Sequence, residues 1–334
     1  MSVNKLQQGM FRRYGFAIWS KACYHRQYRF VDGVLAPNAN FRSQCECYYE
    51  DMNASLPQDK QLDSSIELPK QVPLYQKHLL VISPQDRNPE RLEWKTAWQS
   101  RLELNNQWPY SVISKLKEHL KDSQSGSGIL VNAVAMVSGD IKPLETNSDR
   151  IAHIFVLPDS KLYAIHERQI EDFAHFIGGG RVNQSVDHKP SFNDYLRGAD
   201  NVQILPEAGS LRGSDPHEDL FDYKTSRKDW ILVCGHYQRD QRCGLIGQDL
   251  IKVIEDRGLG RNKNVGLISH IGGHKYAGNV ILYNSYPSKD KLGKYLLNCL
   301  WFGKVVPPNV LLLFEHLENG MIPKELYRGG MSMD

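Results

Sequence analysis

No run of this chain is both apolar and long enough to cross a bilayer, so nothing in its 334 residues reads as a spanning helix. Charge of one sign is equally scarce. Lys and Arg number 41 against 38 Asp and Glu, a formal net charge of +3. That is too little to argue for a nucleic-acid partner, and no Lys/Arg cluster alternates with aromatics as a binding groove would. There is no low-complexity tract and no short-period repeat. Cysteines number six, and no compact apolar secretory core precedes them, so they do not read as a disulfide framework. No C-x-x-C ends the leading strand of the first half, where a thioredoxin-like oxidoreductase would carry it, and no carboxylate pair stands in a glycosidase context.

What is present is ordinary for a globular protein: 41% hydrophobic and 24% charged residues, enough to bury a sizeable core. The length favours two domains over one.

The opening segment departs from this average. No Asp or Glu occurs before Asp32, whereas Lys5, Arg12, Arg13, Lys21, Arg26 and Arg29 stand among Phe11, Tyr14, Phe16, Ile18 and Trp19. An acid-free, Arg-bearing, amphipathic start has the composition of a mitochondrial presequence. Residues 1–31 are therefore expected to be a transit peptide and the protein mitochondrial, in the matrix or the intermembrane space. A basic disordered tail is the plainer alternative. Residues 32–72 form a polar lead-in with Pro57 and Pro69 and a Cys45-Glu46-Cys47 pair. That pair reads as a thiol relay, a weak metal site, or two solvated thiols in a linker.

Periodicity predicts an α/β chain in which one architecture occurs twice. In the first half, residues 73–181, Lys77 to Ile82 reads as a strand. A helix over Tyr110 to Leu120 follows, then strands at Ile129 to Met136, Ile154 to Leu157 and Lys161 to Ile165, and a helix over Glu167 to Ile177. Residues 182–228 are polar and read as a linker with a short helix around Phe192 to Leu196. In residues 229–334 the order returns. A strand at 230–234 precedes a helix at 244–257, strands at 265–269, 279–283 and near Lys304 to Val306, and a helix at 309–318. The order β-α-β then β-β-α is that of a thioredoxin-like fold. Cys299, within Tyr295 to Leu300, reads as a buried small hydrophobe.

Chemistry is densest between Cys234 and His274. Trp230 to Val233 runs into Cys234-(x8)-Cys243, and Val265 to Ile268 runs into His270-Ile271-Gly272-Gly273-His274. Two strand ends thus deliver two thiols and two imidazoles to one edge of a sheet. Zinc suits the His-x3-His spacing, but structural zinc draws its cysteines from a tighter C-x2-4-C knuckle. A Rieske-type cluster would use Cys234-Gly235-His236, yet the second loop holds no cysteine. A [2Fe–2S] cluster with two thiolates and two imidazoles suits two separate ligand loops, and a long C-x8-C loop could wrap a core larger than one ion.

The segments Val233 to Gly244 and Ser269 to Val280 resemble the signature of the sucrase/ferredoxin-like family. So do Trp301-Phe302-Gly303-Lys304-Val305-x-Pro307, Tyr327 to Ser332, Cys45-x-Cys47 and His78 to Pro84. The resemblance covers nearly everything after the presequence. It implies two thioredoxin-like halves, the second a thioredoxin-like ferredoxin domain, with Cys234, Cys243, His270 and His274 ligating a [2Fe–2S] cluster. It also implies electron transfer or redox sensing in support of mitochondrial thiol homeostasis and protein import. The partners it implies are redox proteins of the import or thiol-oxidation machinery; the small net charge and the lack of a long apolar run argue against nucleic acid and a membrane span. Imidazole in place of thiolate lowers the negative charge on the cluster, which eases reduction, and its second ring nitrogen can carry a proton.

Neighbouring residues support two readings each. Gly244, Gly272 and Gly273 would let backbone N–H groups approach sulfides, or simply form tight turns. Arg239 and Arg242 would offset cluster charge or be solvated, with Asp240 orienting one of them. His236 reads as an outer or surface residue, and Trp301 and Phe302 as core aromatics. Two other functions remain open on sequence: a zinc-stabilised interaction module, and a thiol oxidoreductase using Cys45 and Cys47.

Overall fold

A computed structural model describes residues 28–33, 39–82, 111–122, 128–141, 150–179, 221–237, 239–287 and 295–333. The expected helix around Phe192 to Leu196, most of the linker and residues 1–27 of the presequence lie outside the described residues.

In chain order the elements are β1 (Arg29–Val31), α1 (Ala39–Ser55), β2 (Lys77–Ile82), α2 (Val112–Asp122), β3 (Ile129–Ser138), β4 (Ile151–Leu157), β5 (Lys161–His166) and α3 (Ile170–Ile177). They continue with β6 (Asp222–Thr225), β7 (Trp230–Cys234), α4 (Gln241–Asp256), β8 (Asn264–Ile268) and β9 (Val280–Pro287). The chain closes with β10 (Tyr295–Phe302), α5 (Pro307–Glu318), β11 (Met321–Pro323) and β12 (Tyr327–Met333). Every residue of β7 and β8 is buried, as the unbroken apolar runs of internal parallel strands require.

Ten strands form one sheet in the order β12-β10-β9-β7-β8-β3-β2-β4-β5-β6. Each half contributes the same pattern. The first and second strands are parallel, the third is antiparallel on the other side of the first, and the fourth pairs with the third. This is the mixed α/β architecture of two thioredoxin-like units. The units meet where β3 pairs antiparallel with β8, Val134 opposite Ile268 and Ala135 opposite Leu267. That antiparallel join turns one unit end for end relative to the other. The starts of β2 and β3 consequently lie at the same end of the sheet as the finishes of β7 and β8.

The sheet is strongly coiled. Residues paired across strands share a face, which places Phe155, His78, Asn132, Trp230, Cys234, Tyr283, Cys299 and Trp301 together on one face. In a flat sheet β2 and β9 would lie four spacings apart, about 19 Å. Yet His78 Nδ1 is 2.6 Å from the Tyr283 hydroxyl, and Phe155 packs on Trp230 at 4.9 Å between ring centroids. Coiling buries this face against itself.

Several sequence expectations shift. Arg29–Val31, counted above with the presequence, pairs in parallel with Met321–Pro323, so the folded body includes residues assigned to the transit peptide. Part of the expected linker, Asp222–Thr225, is an edge strand on β5. The lead-in is helical over Ala39–Ser55. The strand expected near Lys304 to Val306 is a turn: Lys304 takes φ +57, and Val306 caps α5 through Asn309 Oδ1 at 2.8 Å. Pro307 and Pro308 follow, where a helix start accommodates missing N–H donors and a sheet ladder does not. The fourth strand is Tyr295–Phe302 instead, with Cys299 fully buried in it. Among the described residues no helix is long and apolar enough to cross a membrane.

Candidate metal centre

Cys234 is the last residue of β7, and Ser269-His270 leaves the adjacent, parallel β8. Their exits lie side by side, at the ends of two adjacent internal strands. Cys243 is not on a long wrapping loop either. It is the third residue of α4, which starts early because Asp240 caps it, the Oδ1 accepting the Arg242 N–H at 3.0 Å. A short loop and one helical turn therefore bring Cys243 back to Cys234.

Both thiols are 1% exposed, and they hydrogen-bond to each other. As a pair they titrate far apart. The bond from Cys243 holds Cys234 well below the ordinary thiol range, against burial and with further help from His270 and the His236 backbone N–H. The neighbouring Cys234, together with burial, pushes Cys243 well above it.

The two imidazoles face each other at 5.7 Å between ring centroids. The Nδ1 atoms of His270 and His274 are both buried without a hydrogen-bond partner. Leaving such nitrogens unpaired costs about 1–3 kcal/mol each, a cost that bonding to a metal would remove. Among the described residues no group of three or more His, Cys, Asp or Glu side chains is placed to hold a metal ion. Two thiols and two imidazoles lie together here, His270 beside Cys234 and facing His274, and these are donor types that both zinc and iron–sulfur groups take.

Gly272 and Gly273 form a turn with φ of +79 and +73. His236 is buried, and its Nδ1 accepts the His270 backbone N–H at 3.2 Å, so it orients the histidine loop. Arg242 is buried in a two-bond pair with Asp240 at 2.9 and 2.8 Å. Arg239 is exposed. At Gly244 any Cβ would sit 2.4 Å from Tyr237 Cβ, so close packing of the cysteine loop on α4 requires glycine there. Trp301 and Phe302 are fully buried core aromatics in β10.

Cys45 and Cys47 are on α1, remote in sequence from the other four. Two positions apart on a helix, their side chains point in different directions and do not face each other. Burial, with Glu46 beside it, raises the Cys45 thiol to about 11.

Sequence reasoning missed the support that reaches the site from the first half. His270's carbonyl accepts from Asn132 Nδ2 at 3.3 Å, and that amide also bonds Ser269 Oγ at 3.0 Å. Asn132 Oδ1 therefore faces His78 Nε2, at 3.0 Å, and must accept from it. His78 is fully buried, and burial lowers its pKa to about 3, so it is neutral and its Nδ1 accepts from the Tyr283 hydroxyl. Tyr75 bonds Tyr283 at 2.7 Å and Cys299 at 3.1 Å, and the Trp301 indole donates to Tyr75 at 3.3 Å. A buried chain of donors thus runs from Trp301 to the carbonyl of His270. No local spacing announces it, because its members come from β2, β3, β9, β10 and Tyr75, just ahead of β2.

The model of the family described as sucrase/ferredoxin-like matches residues 68–329. The chain belongs to that family. It is 40% identical over 317 residues to altered inheritance of mitochondria protein 32 of Saccharomyces kudriavzevii, covering 94% of this chain and 96% of that one. It is 42% identical over 321 residues to the protein of the same name from Saccharomyces cerevisiae, again covering 94% and 96%. These names agree with the mitochondrial location expected from the acid-free start. No solved structure matches the chain.

Proposed function

We propose that this mitochondrial member of the family is a [2Fe–2S] protein that transfers single electrons or senses redox state. The observation that carries the reading is the meeting of a bonded thiol pair with two imidazoles whose buried Nδ1 atoms lack partners. A [2Fe–2S] group bound there would supply a one-electron store. Cys234 and Cys243 would hold it from β7 and α4, and His270 and His274 from the turn after β8. The burial of Cys234 and Cys243 keeps water from the thiolate side. His274 is only partly buried and gives the imidazole side a route to solvent, where a ring proton could be exchanged. Redox proteins of the thiol or import machinery are the partners this reading expects. Thiol chemistry at Cys45 and Cys47 is disfavoured by their helical placement.

The test is metal and sulfide analysis of anaerobically purified protein. The expected result is iron and acid-labile sulfide in equal amounts, a red-brown colour with visible charge-transfer bands, and loss of both on Cys234→Ser. Stoichiometric zinc without iron would assign the four residues to a zinc-stabilised module instead.

A further inference from the structure

Arg328, in β12, is 6% exposed and lies against the ligand turn. A Cβ built on Gly273 would come within 2.8 Å of its Nη1 and 2.9 Å of its Cζ and Nη2, so the guanidinium covers the backbone between the two histidines. Asn279 holds it there. The Asn279 Oδ1 accepts from Nη1 at 2.7 Å, while its Nδ2 donates to the Gly273 carbonyl at 2.9 Å. The Trp301 ring lies 5.9 Å from Cζ, and the Nε is buried without a partner.

A guanidinium this deeply buried is costly unless a negative charge compensates it. Asn279 is neutral. Burial disfavours the Arg328 charge, and the groups acting against that are Tyr276, Cys234 and Cys243. The guanidinium lies over Gly273, in the turn that joins His270 to His274, so its charge bears on that centre.

We propose that Arg328 is a positioning residue whose buried positive charge raises the electron affinity of the Cys234/Cys243/His270/His274 centre; this rests on the [2Fe–2S] reading. A one-electron reduction by a protein reductant adds one negative charge beside a fixed cation. The interaction is stronger after the electron arrives than before, so removing the cation shifts the equilibrium toward the oxidised form.

The experiment compares wild-type full chain with Arg328→Lys, Arg328→Gln and Asn279→Asp, each assayed for iron, sulfide and thermal midpoint, then titrated with dithionite at one pH. Arg328→Gln deletes the charge, and Asn279→Asp pairs it off with a carboxylate. Both should weaken electron affinity about tenfold, a fall of about 59 mV for one electron, while Arg328→Lys stays close to wild type. Where one charge-removing variant fails to load, the other decides. An unchanged midpoint, an equal fall in the Lys variant, or loss of loading in both charge-removing variants with folding intact would each overturn the proposal. Wild-type protein without iron would sink the cluster reading itself, a different result from loaded protein whose midpoint does not move.

Discussion

The two halves share one topology and differ in what they do with it. In the second half, the leading strand Trp230–Cys234 ends in a thiol, and its neighbour hands over to His270. In the first half, the equivalent strand Lys77–Ile82 ends in Ile82, and its buried polar residue, His78, sits near the beginning. Because the halves join antiparallel through β3 and β8, the beginning of one lies beside the end of the other. The first half thus contributes hydrogen bonds to the second half's site. A repeated fold need not repeat a site; one copy can hold the other's in place.

The comparison breaks most sharply at the thiols. Cys234→Ser or Cys243→Ser should abolish iron and sulfide loading, measured by metal analysis, whereas first-half substitutions should weaken retention without abolishing it. Next in size is Asp240→Ala. It removes the helix cap and strands Arg242, whose side chain is 10% exposed; the expected loss is about 3–5 kcal/mol by chemical denaturation.

Asn132→Ala leaves both the His78 N–H and the His270 carbonyl unpaired. It should cost about 2 kcal/mol and speed loss of visible absorbance under a chelator, though Asn132 belongs to the half without ligands. His78 adds no such cost at neutral pH, but it makes stability depend on pH. The unfolded chain binds its proton near the ordinary 6.5, the folded one only near 3. Stability is therefore lost as pH falls through that window, by about 1.4 kcal/mol per unit. His78→Gln should flatten this slope in acid-unfolding curves. Smallest of all, Cys45→Ser with Cys47→Ser should leave iron content and absorbance unchanged, and a loss would bring α1 into the site.

Much of this was legible locally. Apolar runs such as Trp230-Ile231-Leu232-Val233 set strand positions to within a residue, because a strand buried on both faces admits little else. The four ligand candidates followed from residue type and spacing. Cys243's place on a helix did not, because a C-x8-C count cannot reveal that Asp240 starts α4 before the second cysteine. The turn at Lys304 was missed for a similar reason: Val305-Val306 has strand composition, but Pro307 and Pro308 forbid continuation of a ladder. Arg328 stood in a recognised segment, yet nothing in Tyr327 to Ser332 says which loop the guanidinium will cover.

The sequence by itself determined two βαβ-ββα units, the identity of four soft donors and their exit from two adjacent strands, since periodicity and side-chain chemistry are local properties. Only the tertiary structure decided that the units join end for end, that the sheet coils until β2 reaches β9, and that Arg328 and Asn132 close on the histidine turn. These contacts join residues 49 to 205 positions apart in the chain. Burial of a shared face, rather than any local pattern, selects them.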